Sequence, residues 1–538
     1  MLLKSMVPFG RPCQPFVGAG SRTGSAKRRP AVVRAARCDP PALQTPPSRL
    51  GVTVDLSSLA MGLLDHYAAT DGFCEVFDGD GAREHYAALV ERLSTMDGAD
   101  LAERAAIVDD TFRNLGITFA VYGSDDGVER TWPMDLVPRI IDAAEWRTVE
   151  AGLVQRVRAL NAFLEDLYVG EQTAFSQGII PPWLVTSAEG FVRGAHGIDV
   201  VGGVRCVVSG IDVVRDGDGA YRVLEDNLRV PSGISYVLEN RAAMRRAFPV
   251  VFSQYAVRPV DDYGTILLRA LQDLAPRGVD DPTVVVLTPG VYNSAYFEHG
   301  FLARSMGVEL VEGRDLVVDD HKLYMHTTKG LRRVHVVYRR IDDDFIDPVA
   351  FDRTSMLGVP GLMSAVAAGT VTLANAVGNG AADDKGVYPF VPAFIEHYLG
   401  EDPILQNVDT YLLWEDDQRA AVLDRLDELV VKPVAEAGGK GIVIGHQATG
   451  KELDAVRRNI ESDPRGFIAQ EVVQLSTHPT FVDGGLHPRH LDLRPFVVAG
   501  DTIEVVPGGL TRVALPEGSL IVNSSQGGGS KDTWVLES

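Results

Sequence analysis

The segment Cys206 to Gly233, CVVSGIDVVRDGDGAYRVLEDNLRVPSG, constrains this chain more than any other. Two largely apolar runs flank RDGDGA, whose two Asp-Gly steps are signals for an antiparallel hairpin. If Asp218-Gly219 is a two-residue turn, Asp212 stands opposite Glu225. If Asp216-Gly217 turns the chain instead, Glu225 faces Val208, an even step from Asp212, so the face is unchanged. Asn227, two residues beyond Glu225, shares it. Either turn therefore predicts three hard oxygen groups, Asp212, Glu225 and Asn227, on one side of a hairpin. A magnesium ion that bridges phosphates requires such a set: one or two carboxylates, a neutral oxygen, and open positions for the nucleotide. An acidic hairpin facing water is the plainer alternative. Asn227 and the following Arg229-Val230-Pro231-Ser232-Gly233 favour the metal site.

A second constellation is LVVKPVAEAGGKGIVIG, residues 429–445. Lys432 ends an apolar strand, a turn with Gly438, Gly439 and Gly441 follows, and another strand begins at Ile442. Glycines let backbone N–H groups approach phosphate oxygens, and a strand-borne lysine adds a positive charge. The pattern is no P-loop, and the later QGGGSKD also fails that spacing. Downstream, GFIAQEVVQL reads as a strand with Gln470 and Glu471 at its middle, a polar pair able to hydrogen-bond an adenine edge and a ribose; a plain edge strand is the alternative. Arg494 in HLDLRPFVV, Arg512 in GGLTRVAL and Asn523 in IVNSSQGGGSKD follow. Two strand-borne arginines beside a Gly-rich loop can bind phosphate and a developing acyl phosphate, although such arginines are commonly solvated cross-strand charges.

At 538 residues the chain exceeds one core and predicts two or three lobes. Residues 61–190 read as mainly helical, with one helix from Asp97 to Leu115 capped by Asp97 or Asp100, and another from Val149 to Tyr168. Residues 191–260 carry the hairpin. Residues 261–405 alternate strand and helix, and 406–538 form a second mixed, Gly-rich lobe. The formal charge is −22, while residues 1–60 hold nine Lys/Arg against Asp39 and Asp55 alone, leaving the remainder at −29. So acidic a body argues against nucleic-acid binding. No apolar run is long enough to cross a membrane. Cys13, Cys38, Cys74 and Cys206 show no metal spacing and fit a reducing cytoplasm. The basic leader reads as a transit peptide, a disordered arm or, as the preferred expectation, a translation start placed too early. The mixed cluster Tyr292, Asn293, Tyr296, Glu298 and His299 is a candidate substrate surface, with N-cap and packing roles as the alternative. Asp342, Asp343 and Asp344 after Arg339-Arg340 read most simply as an ion-paired loop.

Taken together, these pieces resemble an ATP-grasp enzyme, but in a different chain order. The Asp212…Glu225-Asp226-Asn227 element precedes Lys432 by about 200 residues, whereas that family commonly places the lysine strand first. The chain resembles the circularly permuted type 2 ATP-grasp proteins over nearly all of residues 62–535. LEDNLRVPSGISYVLENR, LTPGVYNSAYFEHGFLARSMGVELVEGRDL, VHVVYRRIDDDFIDP, LANAVGNGAADDKGVYPF and VNSSQGGGSKDTWVL carry the resemblance. It implies an α/β (α+β) ATP-grasp fold, circularly permuted, with a pre-ATP-grasp lobe and a helical N-terminal segment. It also implies ATP and Mg²⁺ as cofactors and an ADP-forming ligase joining a carboxylate to an amine or similar nucleophile, on a small-molecule or peptide substrate. A phosphotransferase and a non-catalytic nucleotide-binding partner are the rivals. By the same resemblance Lys432 contacts phosphate, Lys385 in ADDK opens the first nucleotide-binding segment, Gly438 to Gly441 form the flexible loop, and Glu471 holds the nucleotide. Arg494, Arg512 and Asn523 then serve the acyl phosphate, and Asp212, Glu225 and Asn227 the metal. Companion proteins of the transglutaminase-like or α-helical type are a further implication.

Overall fold

The computed structural model describes residues 63–64, 67–68, 72–79, 81–120, 129–435, 440–522 and 527–538. Residues 1–60, Gly438, Gly439 and Asn523 lie outside the described residues. Asp97 starts the first long helix, α1 (Gly98–Leu115), its side chain accepting from Asp100 N at 2.8 Å, and left-handed Gly116 ends it. Strand β1 (Met134–Ile141) leads into α2 (Ala143–Tyr168), which opens six residues before the expected start because Asp142 caps it. Leu153, Val157, Leu160, Leu164 and Leu167 form its buried stripe. Burying each stabilises the helix on its sheet by roughly 2 kcal/mol.

Strands β2 (Val208–Arg215) and β3 (Tyr221–Asn227) form the expected hairpin, and Asp212 does pair with Glu225. Neither two-residue turn is used. Asp216 N donates to Ala220 O, the Asp216 carboxylate accepts from Asp218 N and Ala220 N, and Gly219 takes φ +84°. This is the three-residue loop that ends in a left-handed residue. Its register pairs Val213 with Val223, and Leu224 is an extra, bulged residue that brings Glu225 opposite Asp212. Helices α3 (Ile234–Ala247) and α4 (Tyr263–Asp273) follow.

The next lobe is a parallel four-stranded sheet of β4 (Val284–Leu287), β5 (Glu309–Val311), β6 (Val336–Arg339) and β7 (Thr372–Ala374), with α5 (Tyr296–Met306) crossing between the first two. Asn375 joins this lobe to the hairpin: its amide nitrogen donates to Val208 O and Leu228 O, and its oxygen accepts from Val207 N and Val208 N. Beyond it, an antiparallel sheet holds β8 (Thr410–Leu412), β9 (Leu429–Pro433), β10 (Val443–Ile444) and β11 (Phe467–Glu471) in the order β8-β11-β9-β10. The chain then returns to the first sheet through β12 (Thr477–Val482), β13 (Gly485–Arg494), β14 (Phe496–Ala499), β15 (Leu510–Val513) and β16 (Gly529–Val535). That sheet runs β3-β2-β13-β15-β16-β1 along its main path, so strands from both ends of the chain interleave. Among the described residues no helix is long and apolar enough to cross a membrane.

Candidate functional site

Strand register assembles the charged centre. Leu493 pairs with Val213 and Asp492 with Arg512, which places Glu225, Asp212 and Arg494 in one row across β3, β2 and β13. Asp492 and Arg512 lie one pair further along, on the same face. Arg494 reaches Asp212 with two parallel bonds, Nε to Oδ1 at 2.5 Å and Nη2 to Oδ2 at 2.8 Å. Arg512 Nη2 adds a third bond to Oδ2 at 2.6 Å, and its Nε reaches Asp492 Oδ1 at 3.0 Å. Burial alone would raise the Asp212 carboxyl, but the guanidiniums of Arg494 and Arg512 hold it well below the usual carboxylate range. Burial pushes the Asp492 carboxyl up despite Arg512.

The second sheet supplies the opposite wall. Val430 pairs with Gln470 and with Ile444, so these three and Lys432, two residues along, share a face. A cleft of about 140 Å³ lies between the walls, with Val430, Ile442, Ile444, Leu520 and Val522 along its apolar part. Glu225, Lys385, Lys432, Asp492 and Arg512 line its polar end. Burial lowers Lys432 to about 8, helped by the Lys385 and Arg512 charges and opposed by Glu225. Five cations (Lys385, Lys432, Lys440, Arg494, Arg512) thus stand about the cleft with the carboxylates of Asp212, Glu225 and Asp492, an excess of positive charge that admits a triphosphate.

Glu225 is the loosest of the three carboxylates. Its oxygens stand 3.8 Å from both Lys385 Nζ and Arg494 Nη2, and its side chain is 27% exposed. Asn227 Nδ2 is buried without a hydrogen-bond partner, and an amide flip would present oxygen there instead. Glu225 and Asn227 therefore have the free oxygen capacity a hard cation needs. Asp212, expected beside them as a third ligand, has both oxygens committed to arginines. Three hydrogen bonds still leave Oδ1 a lone pair with which Asp212 could join a metal. No group of three or more His, Cys, Asp or Glu placed to hold a metal ion occurs among the described residues.

The structure separates the expected pair Gln470 and Glu471. Alternation turns Gln470 to the cleft wall, whereas the Glu471 carboxylate accepts from Tyr411 Oη at 2.5 Å and Arg425 Nη2 at 3.3 Å. Tyr411 pairs with Ala469, so that carboxylate lies on the far face although the residue borders the cleft. Gly441 keeps the left-handed conformation expected of a glycine turn, φ +73°. Lys531 of QGGGSKD is fully buried and bonded to Asp135, Val137 O and Pro479 O, a structural role.

Two site residues escaped the sequence reading. Asp492 stands two positions before Arg494, a spacing that puts both on one strand face, and Lys440 lines the cleft from the glycine turn. In the remaining polar clusters Glu298 and Arg339 have structural partners. Glu298 accepts from Gly233 N (2.7 Å), Ser235 N (3.1 Å) and Arg340 Nη2 (3.0 Å), closing the start of α3. Arg339 pairs with Asp343 at 2.6 Å. Tyr292 is fully exposed.

Residues 138–514 match the family described as circularly permuted ATP-grasp type 2. An uncharacterized protein of Mycobacterium tuberculosis (strain H37Rv) is 56% identical over 466 residues, 86% of this chain and 84% of its own length. One from Synechocystis (strain PCC 6803) is 53% identical over 476 residues, covering 88% of this chain and 99% of that protein. A Frankia alni protein provisionally named glutamate–cysteine ligase 2-3 is 48% identical over 493 residues, 90% of this chain but 56% of that protein. Among solved structures, a glutathione synthetase-like effector from Globodera pallida in its apo form superposes with TM-score 0.51 at 13% identity, over 82% of this chain and 98% of that one, a likeness of fold. The family match spans the hairpin, Lys432, Gln470, Arg494 and Arg512, and the chain belongs to the circularly permuted ATP-grasp type 2 family.

Proposed function

We propose that this chain is an ATP- and Mg²⁺-dependent, ADP-forming ligase that activates a carboxylate as an acyl phosphate for attack by an amine or similar nucleophile. The observation that carries the reading is the meeting of Asp212 with Arg494 and Arg512 at the polar end of a cleft whose other wall holds Lys432. Such a reaction requires little covalent chemistry from the protein; position and charge supply the catalysis. Lys432 and Lys385 would hold the phosphates, and Glu225 with Asn227 would hold magnesium, which neutralises charge on the phosphates when bound. The γ-phosphoryl group then passes to a substrate carboxylate oxygen, releasing ADP. Arg494 and Arg512 face the developing negative charge, and the amine attacks the acyl carbonyl, releasing phosphate and a proton.

The provisional ligase names of the Frankia relatives support an amino-acid-like or peptide substrate. A cytoplasmic site of action and companion proteins of the transglutaminase-like or α-helical type belong to the same proposal. The test is ADP release from Mg·ATP in pooled carboxylates and amines, with hydroxylamine as a trap. An ATP-dependent hydroxamate is the expected product. A stable phosphorylated compound without hydroxamate would favour phosphotransfer to another acceptor.

A further inference from the structure

A second cavity, of about 260 Å³, lies beside the parallel sheet and shares no lining residue with the nucleotide cleft. One wall is the outer edge of β7 with the short helix Leu362–Ala367 before it; the other is the segment from Ala195 to Arg205. Ala376 N donates to Arg205 O at 2.8 Å and joins the two walls. Most of the lining is aliphatic, with Val200, Val366, Val371, Leu373 and Val377 foremost. The loose, exposed pair of Arg277 and Asp199, 3.8 Å apart, marks the mouth. An apolar cavity of about 150 Å³ admits benzene, so this one has room for roughly eight to twelve non-hydrogen atoms.

Polar groups border this space with bonding capacity to spare. Thr372 N donates to His335 O at 3.0 Å, so residue 372 faces β6, and alternation turns the N–H and C=O of Leu373 to the open edge of the sheet. Leu373 is only 3% exposed, yet neither group makes a hydrogen bond among the described residues. Buried backbone groups are nearly always paired, so this edge asks for a donor and acceptor from outside the chain. Arg205, 1% exposed, donates from Nε to Glu165 Oε2 at 2.9 Å and from Nη2 to Ile198 O at 2.6 Å. Its Nη1 is left without a hydrogen bond among the described residues.

We propose that this cavity is a binding site for a small aliphatic carboxylate, whose oxygens take Arg205 Nη1 and Leu373 N–H while its chain packs on the valines. The site stands apart from the ligase chemistry and does not depend on that reading.

Titration calorimetry of the full chain with 4-methylpentanoate and with its uncharged isostere 4-methylpentanamide tests this. The acid is expected to bind at one site per chain, with a dissociation constant of about 1 mM or tighter. The amide should bind at least about tenfold more weakly, the value of a hydrogen bond to a charged group. Val366→Trp fills the cavity and should abolish binding of the acid, which separates this site from any carboxylate site in the nucleotide cleft. Arg205→Lys keeps a charge beside Glu165 but loses the spare nitrogen; it should weaken the acid about fivefold or more and leave the amide unchanged, and it serves alone if the first variant does not fold. Absence of saturable binding, equal affinity for acid and amide, or wild-type affinity for the acid in a folded variant would overturn the proposal.

Discussion

Arg494 and Asp212 face each other across adjacent strands and join through two parallel hydrogen bonds of 2.5 and 2.8 Å, with the Asp212 side chain 1% exposed. Arg512 binds the same carboxylate from the next strand but one. Removing one partner of such a buried set leaves uncompensated charge, which costs about 3–5 kcal/mol. Asp212→Asn should therefore lower stability by roughly that amount. Glu225→Gln should cost under about 1 kcal/mol, because its contacts are long and solvent reaches it. Urea denaturation of the two variants checks the contrast; equal losses would contradict it.

The Lys432 ammonium predicts a pH dependence with a definite sign. Burial lowers its pKa from the ordinary lysine value to about 8, and bound phosphates favour the charged form. Binding of nucleotide should therefore take up a proton between pH 8 and roughly 10. Affinity should be highest below pH 8 and fall above it. Calorimetry in buffers of different ionisation enthalpy reads the proton directly. In the free protein the unfolded chain holds this proton through the same window, so Lys432 makes stability rise with pH from about 8 upwards.

Much of this was legible in the sequence, and the gaps have physical causes. The Asp212–Glu225 pairing was expected from a two-residue turn, yet it arises from a three-residue loop and a compensating bulge at Leu224. Turn signals locate a reversal, but a bulge depends on sheet twist and neighbouring strands. Asp97 as helix cap was legible because capping is local. The Asp492–Arg512–Asp212 network was not, since its strands meet only through long-range pairing. The facing of Gln470 and Glu471 to opposite sides follows from the two-residue strand period once the cleft face is known.

Glu298 bridges the start of α3 and Arg340, both buried. Glu298→Gln keeps the shape but leaves Arg340 without its counter-charge, and should cost roughly 3 kcal/mol. A thermal scan should show a lower transition, and an unchanged one would contradict the tie.

Lys531 separates a structural lysine from a phosphate-binding one. Lys531→Met should destabilise the fold by roughly 3 kcal/mol, because Asp135 loses its buried partner. Nucleotide affinity of the folded protein should stay within twofold of wild type. A selective loss of affinity at full stability would place phosphate at QGGGSKD instead.

In the proposed mechanism nucleotide lies between Lys432 on one wall and the Glu225 hairpin on the other. The most direct measurement is the dissociation constant of Mg·ADP for wild type, Lys432→Met and Glu225→Gln, with folding verified by circular dichroism. Binding at least about tenfold weaker is expected in each variant, the loss of a charged contact worth roughly 1.5 kcal/mol or more. Wild-type affinity in both folded variants would contradict it.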